Sequence, residues 1–160
     1  MIAVAAGCQR SEVEVALSQE ASAQVRRTIV RWLECEECTD GELEAVLKVG
    51  RVGVPTLAAT LIEGPAPARL EEQREHLAGL YRQQVEYARS HPRAAPRMSE
   101  SEYLAVYTAN LVARYRVRSA MALERFGGPE AAQALERALA LPLRDDERGV
   151  IAAAAARVRR

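Results

Sequence analysis

Apolar residues in this chain return every three or four positions and never alternate over a strand-length run, so the pattern predicts helices throughout. From Ser11 to about Glu34, the residues Leu17, Ala21, Val25, Ile29, Trp32 and Leu33 fall on one stripe. Ser11 with Glu12 and Glu14 marks the start, because an oxygen and negative charge there face free backbone N–H groups. Thr39 and Glu42 make a capping box for a short helix that carries Leu43, Val46 and Leu47 and stops at Gly50. Pro55 suits the first turn of the next helix, whose buried face is expected to be Leu57, Ala58, Leu61 and Ile62 and which ends at Gly64-Pro65. After a linker from Gly64 to Pro67, a helix runs from Leu70 to about Ser90 with Leu77, Tyr81, Val85 and Ala88 on one side. The two prolines of HPRAAPR (His91 to Arg97) break it and make this the one substantial loop.

The second half repeats the pattern. Ser99 with Glu102 is another capping box and opens a long helix to Phe126. Tyr103, Tyr107, Leu111 and Tyr115 lie four apart on it, a spacing that reads as core or helix-packing surface, with the tyrosine hydroxyls needing polar partners where buried. Gly127-Gly128 ends this helix, Pro129 starts another with Leu135 and Leu139 inward, and a turn at Pro142 leads to a last helix from about Asp146. Its expected stripe is Val150, Ile151, Ala154 and Val158. The total is about seven helices, two of them long, in an all-α fold.

At 160 residues the length suits one domain, taken as residues 11–160 behind an N-terminal segment 1–10. Of the 22 basic residues only Lys48 is a lysine. Net charge is zero, which argues against general nucleic-acid binding. Charge is nonetheless uneven: residues 35–75 hold nine acids and four bases, a balance of −5, whereas residues 111–160 hold six acids and ten bases, a balance of +4. Such asymmetry steers partners in an elongated molecule, and equally describes ordinary solvated helix faces.

Two units align across the chain. Leu57 and Leu61 follow Gly50 by seven and eleven positions, and Leu135 and Leu139 follow Gly128 by the same offsets. Upstream, Leu43 and Val46 precede Gly50 as Ala120 and Leu123 precede Gly127. Each unit is helix, glycine turn, proline-started helix and stop. The stretch VRSAMALERFGGPEAAQALERAL…DDERGVIAAAA resembles a bacterial HEAT-like repeat, of the short type in phycobilisome-lyase-like proteins. The matching features are the small and apolar residues of the first helix, Gly127-Gly128 at the bend, Leu135 and Leu139, and the acidic turn Asp145-Asp146. The resemblance covers residues 113–160 well, 39–64 weakly, and the long helices between them poorly. It implies an α-solenoid scaffold that binds a protein partner, with no catalytic residue and no cofactor; nothing matches the chromophore-handling residues of a lyase.

The opening MIAVAAGC resembles the tail of a bacterial lipoprotein signal, which implies lipidation and membrane anchorage at Cys8 and an envelope location. It lacks a basic n-region, is short for an apolar core, and has Ala5 where leucine is preferred. A meaningless N-terminus on a cytoplasmic protein is the competing reading. Cys35 and Cys38 form a C-x-x-C beside Glu34, Glu36 and Glu37, whose charges raise a thiol pKa and disfavour a redox nucleophile. Three readings stay open: a disulfide or structural thiols, helix-end packing, and metal or thiol-redox chemistry. The remaining chemistry-bearing inventory is thin, with His76 and His91 remote from each other and no catalytic motif. The expected function is a non-enzymatic interaction scaffold; the alternative is a thiol-redox or metal protein centred on Cys35 and Cys38.

Overall fold

A computed structural model describes residues 12–159, with side chains from residue 19 onward. Ser11 and Cys8 therefore lie outside the described residues, as does the side chain of Leu17. Seven α-helices and no strand are found among the described residues: α1 (Glu12–Glu34), α2 (Asp40–Val49), α3 (Val54–Glu63), α4 (Pro67–Ser90), α5 (Glu100–Phe126), α6 (Gly128–Ala138) and α7 (Asp145–Val158). Single 3-10 turns lie at Arg51–Gly53 and Pro92–Ala94, so the proline loop is partly ordered by its own backbone bonds.

The local signals act as the sequence suggests. At Thr39 the backbone N–H donates to Glu42 Oε2 at 2.9 Å while Gly41 N–H donates to Thr39 Oγ1 at 3.3 Å. Ser99 N–H donates to Glu102 Oε2 at 2.8 Å, and Glu102 N–H donates back to Ser99 Oγ at 3.3 Å. Each box satisfies amides that a helix start leaves free. The two bends share a backbone geometry. Gly50 (φ 78°, ψ −171°) and Gly127 (φ 61°, ψ −170°) both sit in a region that a Cβ all but forbids. Each ends its helix with an N–H bond back to the last turn, and α2 meets the following segment at 96°. The second unit departs from the first at its far end, where α6 stops at Leu139 without a glycine.

The core sits around the C-terminal half of α5. This helix packs on α1, α2, α3, α4, α6 and α7, and its Leu111, Tyr115, Ala120, Ala122 and Leu123 are buried among them. Alanines line the contact of the last two helices: Ala131, Ala134 and Ala138 of α6 and Ala154 and Ala155 of α7 all join this core. Small side chains there let backbones come near and bury a wide stripe from short helices. The N-terminus of α7 is tied to α5 by Arg144, whose Nη1 donates to Asn110 Oδ1 at 2.7 Å and whose guanidinium also clasps Asp146. Glu147, 3% exposed, accepts the Arg144 backbone N–H and lies 3.6 Å from Arg116 Nη1.

Several expected core positions are not in the core. Ala21 is exposed, so only the C-terminal half of the α1 stripe is covered, at Ile29, Trp32 and Leu33. On α4 only Leu77 is buried; Val85 is exposed, because α4 packs chiefly on α5. Tyr107 is exposed and Tyr103 half-buried for the same reason. Val150 faces solvent while Ala155, unremarked in the pattern, is buried; Leu139 is half-buried beside a fully buried Leu135. Helix α4 also begins at Pro67 rather than Leu70, since proline fits a first turn.

Candidate functional site

The C-terminus of α1 is the polar hub of the molecule. Its last carbonyls have no intrahelical partner, and the chain supplies one from 85 residues away. Arg118 Nη1 donates to Trp32 O and to Leu33 O, each at 2.9 Å. The same guanidinium lies over the Trp32 ring at 5.5 Å, and the indole N–H donates to Arg118 O at 3.3 Å. Burial, and then the charge of Arg114, work against the Arg118 cation. A positive group at a helix C-terminus is what the backbone dipole favours. Arg148 does the same for α6, donating to Leu139 O at 3.0 Å and Leu141 O at 3.3 Å.

Beside this cap, Glu34 gathers two partners from distant helices. Tyr115 Oη donates to Glu34 Oε1 at 2.5 Å, and Arg69 Nε donates to the same oxygen at 2.6 Å. Burial pushes the Glu34 carboxyl up, but the bonds from Tyr115 and Arg69 and the charges of Arg69 and Arg114 outweigh it, leaving the pKa lowered. The Tyr115 hydroxyl is pushed well up by burial and then by its bond to the Glu34 carboxylate. A tyrosine in that state donates its proton as a hydrogen bond and stays neutral. The arrangement joins α1, α4 and α5, and has the chemistry of a brace.

Cys35 and Cys38 come next in the chain. Helix α1 ends at Glu34, and the irregular turn before Thr39 brings the two Sγ atoms into bonding contact as a disulfide, with Cα atoms 5.5 Å apart. Both cysteines are half-buried and pack against the core. Among the described residues no group of three or more His, Cys, Asp or Glu side chains is arranged to hold a metal ion. His76 is exposed; His91 stacks on Tyr87 at 4.1 Å at the far end of α4.

The third feature is a groove of about 490 Å³ between α2, α5 and α7. Its floor is apolar, with Leu43 from α2, Val117 and Met121 from α5, and Val150 and Ala153 from α7. Met121 is 39% and Val150 37% exposed, a cost a closed core would not carry. Gly149 opens the floor further, as a Cβ built on it would meet nothing within 4 Å. Along the rim, Arg157 Nη1 bonds both carboxylate oxygens of Glu124 at 3.0 Å, and Arg125 has no ion-pair partner among the described residues.

Of the residues singled out from sequence, the structure thus brings Cys35 and Cys38 together and leaves Cys8 outside the described residues. Sequence reasoning missed Glu34, Arg69, Tyr115 and Arg118 as a group, because partners 35 to 86 positions apart leave no spacing signal. The groove was missed too; its one trace was Val150, an apolar residue at the edge of its stripe. No single helix is long and apolar enough to cross a membrane among the described residues. No known protein family, curated protein or solved structure matches this chain.

Proposed function

We propose that the protein is a non-enzymatic interaction module of HEAT-like type that holds an amphipathic helix of a partner protein in the groove between α2, α5 and α7. The observation that carries this reading is the groove itself: Met121 and Val150, from two helices packed on each other, expose apolar surface on one concave floor. A helix laid in such a groove reads it through residues spaced three and four apart. The small floor residues Gly149 and Ala153 let its backbone approach. Charge selects the flank. Arg125 is free to take a carboxylate, and residues 111–160 have a balance of +4, so the partner helix is acidic beside its apolar stripe. The glycine bends at Gly50 and Gly127, each opening onto a proline-started helix, support the HEAT-like description of the scaffold.

The test uses two fluorescent amphipathic peptides with the same leucine stripe, one flanked by glutamate and one by lysine. Fluorescence anisotropy is expected to show saturable binding of the glutamate peptide, loss of it in Met121→Glu, and a switch of preference towards the lysine peptide in Arg125→Glu. Binding that Met121→Glu leaves intact, or no binding of either peptide, would overturn the reading. The Cys35–Cys38 pair favours a structural role over a thiol-redox one. It is held against the core at the negative end of a helix, where a thiolate is disfavoured.

A further inference from the structure

Helices α4 and α5 are about 36 and 40 Å long at 1.5 Å per residue, far longer than α2, α3, α6 and α7. The other helices cover only their near halves. Between Ala78 and Asn110 not one residue is fully buried, although both helices run through this stretch. What remains is a two-helix arm projecting from the core. Tyr81, Tyr103 and Tyr107 hold it together, with ring centroids 5.5 and 4.5 Å apart, and Tyr81 Oη donates to Met98 O at 3.0 Å. Leu80, Val85, Tyr87, Met98, Val106 and Tyr107 are all more than a third exposed on the arm. Helical segments of this size are marginal in water unless an apolar face is covered.

Charge indicates what covers it. Near the base of the arm, residues 71–75 carry three acids and one base; Glu71 pairs with Arg74 at 3.6 Å and Glu72 with Arg69 at 3.4 Å, which leaves Glu75 as the acid with no partner among the described residues. Towards the tip, residues 82–97 carry four arginines and one acid. Arg82, Arg93 and Arg97 have no partner among the described residues; Arg89 pairs with Glu86 at 2.7 Å. Glu100 and Glu102, which follow, lie at the N-terminal amides of α5, where the helix dipole offsets their charge. The arm is therefore acidic at one end, basic at the other and apolar between.

We propose that the arm is a self-association surface: two copies lay their α4–α5 arms antiparallel about a two-fold axis, forming a four-helix bundle. Antiparallel pairing sets the basic tip of each copy against the acidic base of the other. It also covers the exposed leucine, valine and tyrosine side chains of both. An isologous contact needs only this one self-complementary patch and closes at two copies. Zero net charge on the chain removes the long-range repulsion that would oppose it.

Sedimentation equilibrium on the full chain tests this. The wild type is expected to reach a dimer whose dissociation constant rises with salt, since exposed charge pairs are screened. Leu80→Glu with Tyr107→Glu is expected to weaken it about tenfold or more. Two further variants keep the test decisive if that pair disturbs the arm. Arg93→Glu/Arg97→Glu makes the tip acidic, and Glu72→Arg/Glu75→Arg makes the base basic. Each alone is expected to stay monomeric, and an equimolar mixture to dimerise, because the mixed pair restores opposite charges at both ends. Emission of Trp32, in the core and away from the arm, reports that each variant is folded. A wild type that stays monomeric at every concentration overturns the proposal. So does a dimer indifferent to these changes, a mixture that remains monomeric, or a monomer whose arm instead binds anionic lipid vesicles.

Discussion

Replacing Arg118 by alanine is the sharpest test of how α1 is held. One guanidinium nitrogen serves two carbonyls at 2.9 Å, so the loss amounts to somewhat more than one charge-assisted bond, each worth about 1.5–3 kcal/mol. The cation over the Trp32 ring adds about 0.5–1 kcal/mol at a partly exposed site. Water reaches the vacated position in part and recovers some of this, leaving a loss of about 2–3 kcal/mol. For a chain of this size that lowers Tm by about 5–10 °C. Arg118→Lys keeps the charge but cannot hold both carbonyls and stack on the ring, so it recovers less than half. The assay is urea unfolding followed by Trp32, the only tryptophan, whose emission also reports the loss of the stacked cation. A fall of less than about 0.5 kcal/mol in Arg118→Ala, or full rescue by lysine, would refute the cap.

Other outcomes follow from burial and charge. Leu135 is fully buried and Leu139 is not, so Leu135→Ala loses about 3 kcal/mol, Leu139→Ala about 1, and exposed Arg137→Ala less than about 0.5, all measurable by thermal unfolding. The Glu34 carboxyl has a lowered pKa in the folded state; its contribution is fully present above the unfolded pKa of about 4.3 and fades as pH falls through the folded one. Stability of Glu34→Gln plotted against pH should therefore differ from wild type at neutral pH and converge with it in acid. Non-reducing mass spectrometry should find Cys35 and Cys38 protected from alkylation. Closing so small a loop stabilises by about 2 kcal/mol in the chain-entropy model, so a drop beyond about 4 on double replacement by serine would mean that the pair does more than brace the turn.

The helices were legible in the sequence because what specifies them is local. Thr39 with Glu42, Ser99 with Glu102, the prolines at Pro55 and Pro129 and the glycines at Gly50 and Gly127 each act within one turn, and the structure uses every one. Periodicity identified which face of a helix is apolar but not what lies opposite. Val85, Tyr107 and Val150 therefore sat on expected inner stripes and emerged at the surface, where they build the arm and the groove. The polar hub was invisible for another reason. Glu34, Arg69, Tyr115 and Arg118 belong to three helices, and only the packing of α5 against α1 and α4 makes them neighbours. Arginine richness acquires specific uses at Arg118, whose one nitrogen takes two carbonyls while its plane lies over Trp32, and at Arg148, whose two forked nitrogens take Leu139 O and Leu141 O.

The central place of α5 sets the order in which the protein is able to fold during synthesis. Every helix made earlier, from α1 to α4, packs on a segment translated after residue 99. Until Leu111 to Leu123 have left the ribosome, Ile29, Leu33, Val46, Leu57 and Leu61 lack the α5 side of the core they join. The nascent chain thus carries part of its future core open to water until α5 is made, a period when apolar stripes attract chaperones or one another. A chain cut short within α5 would leave bare the faces of α1 to α4 that this helix covers.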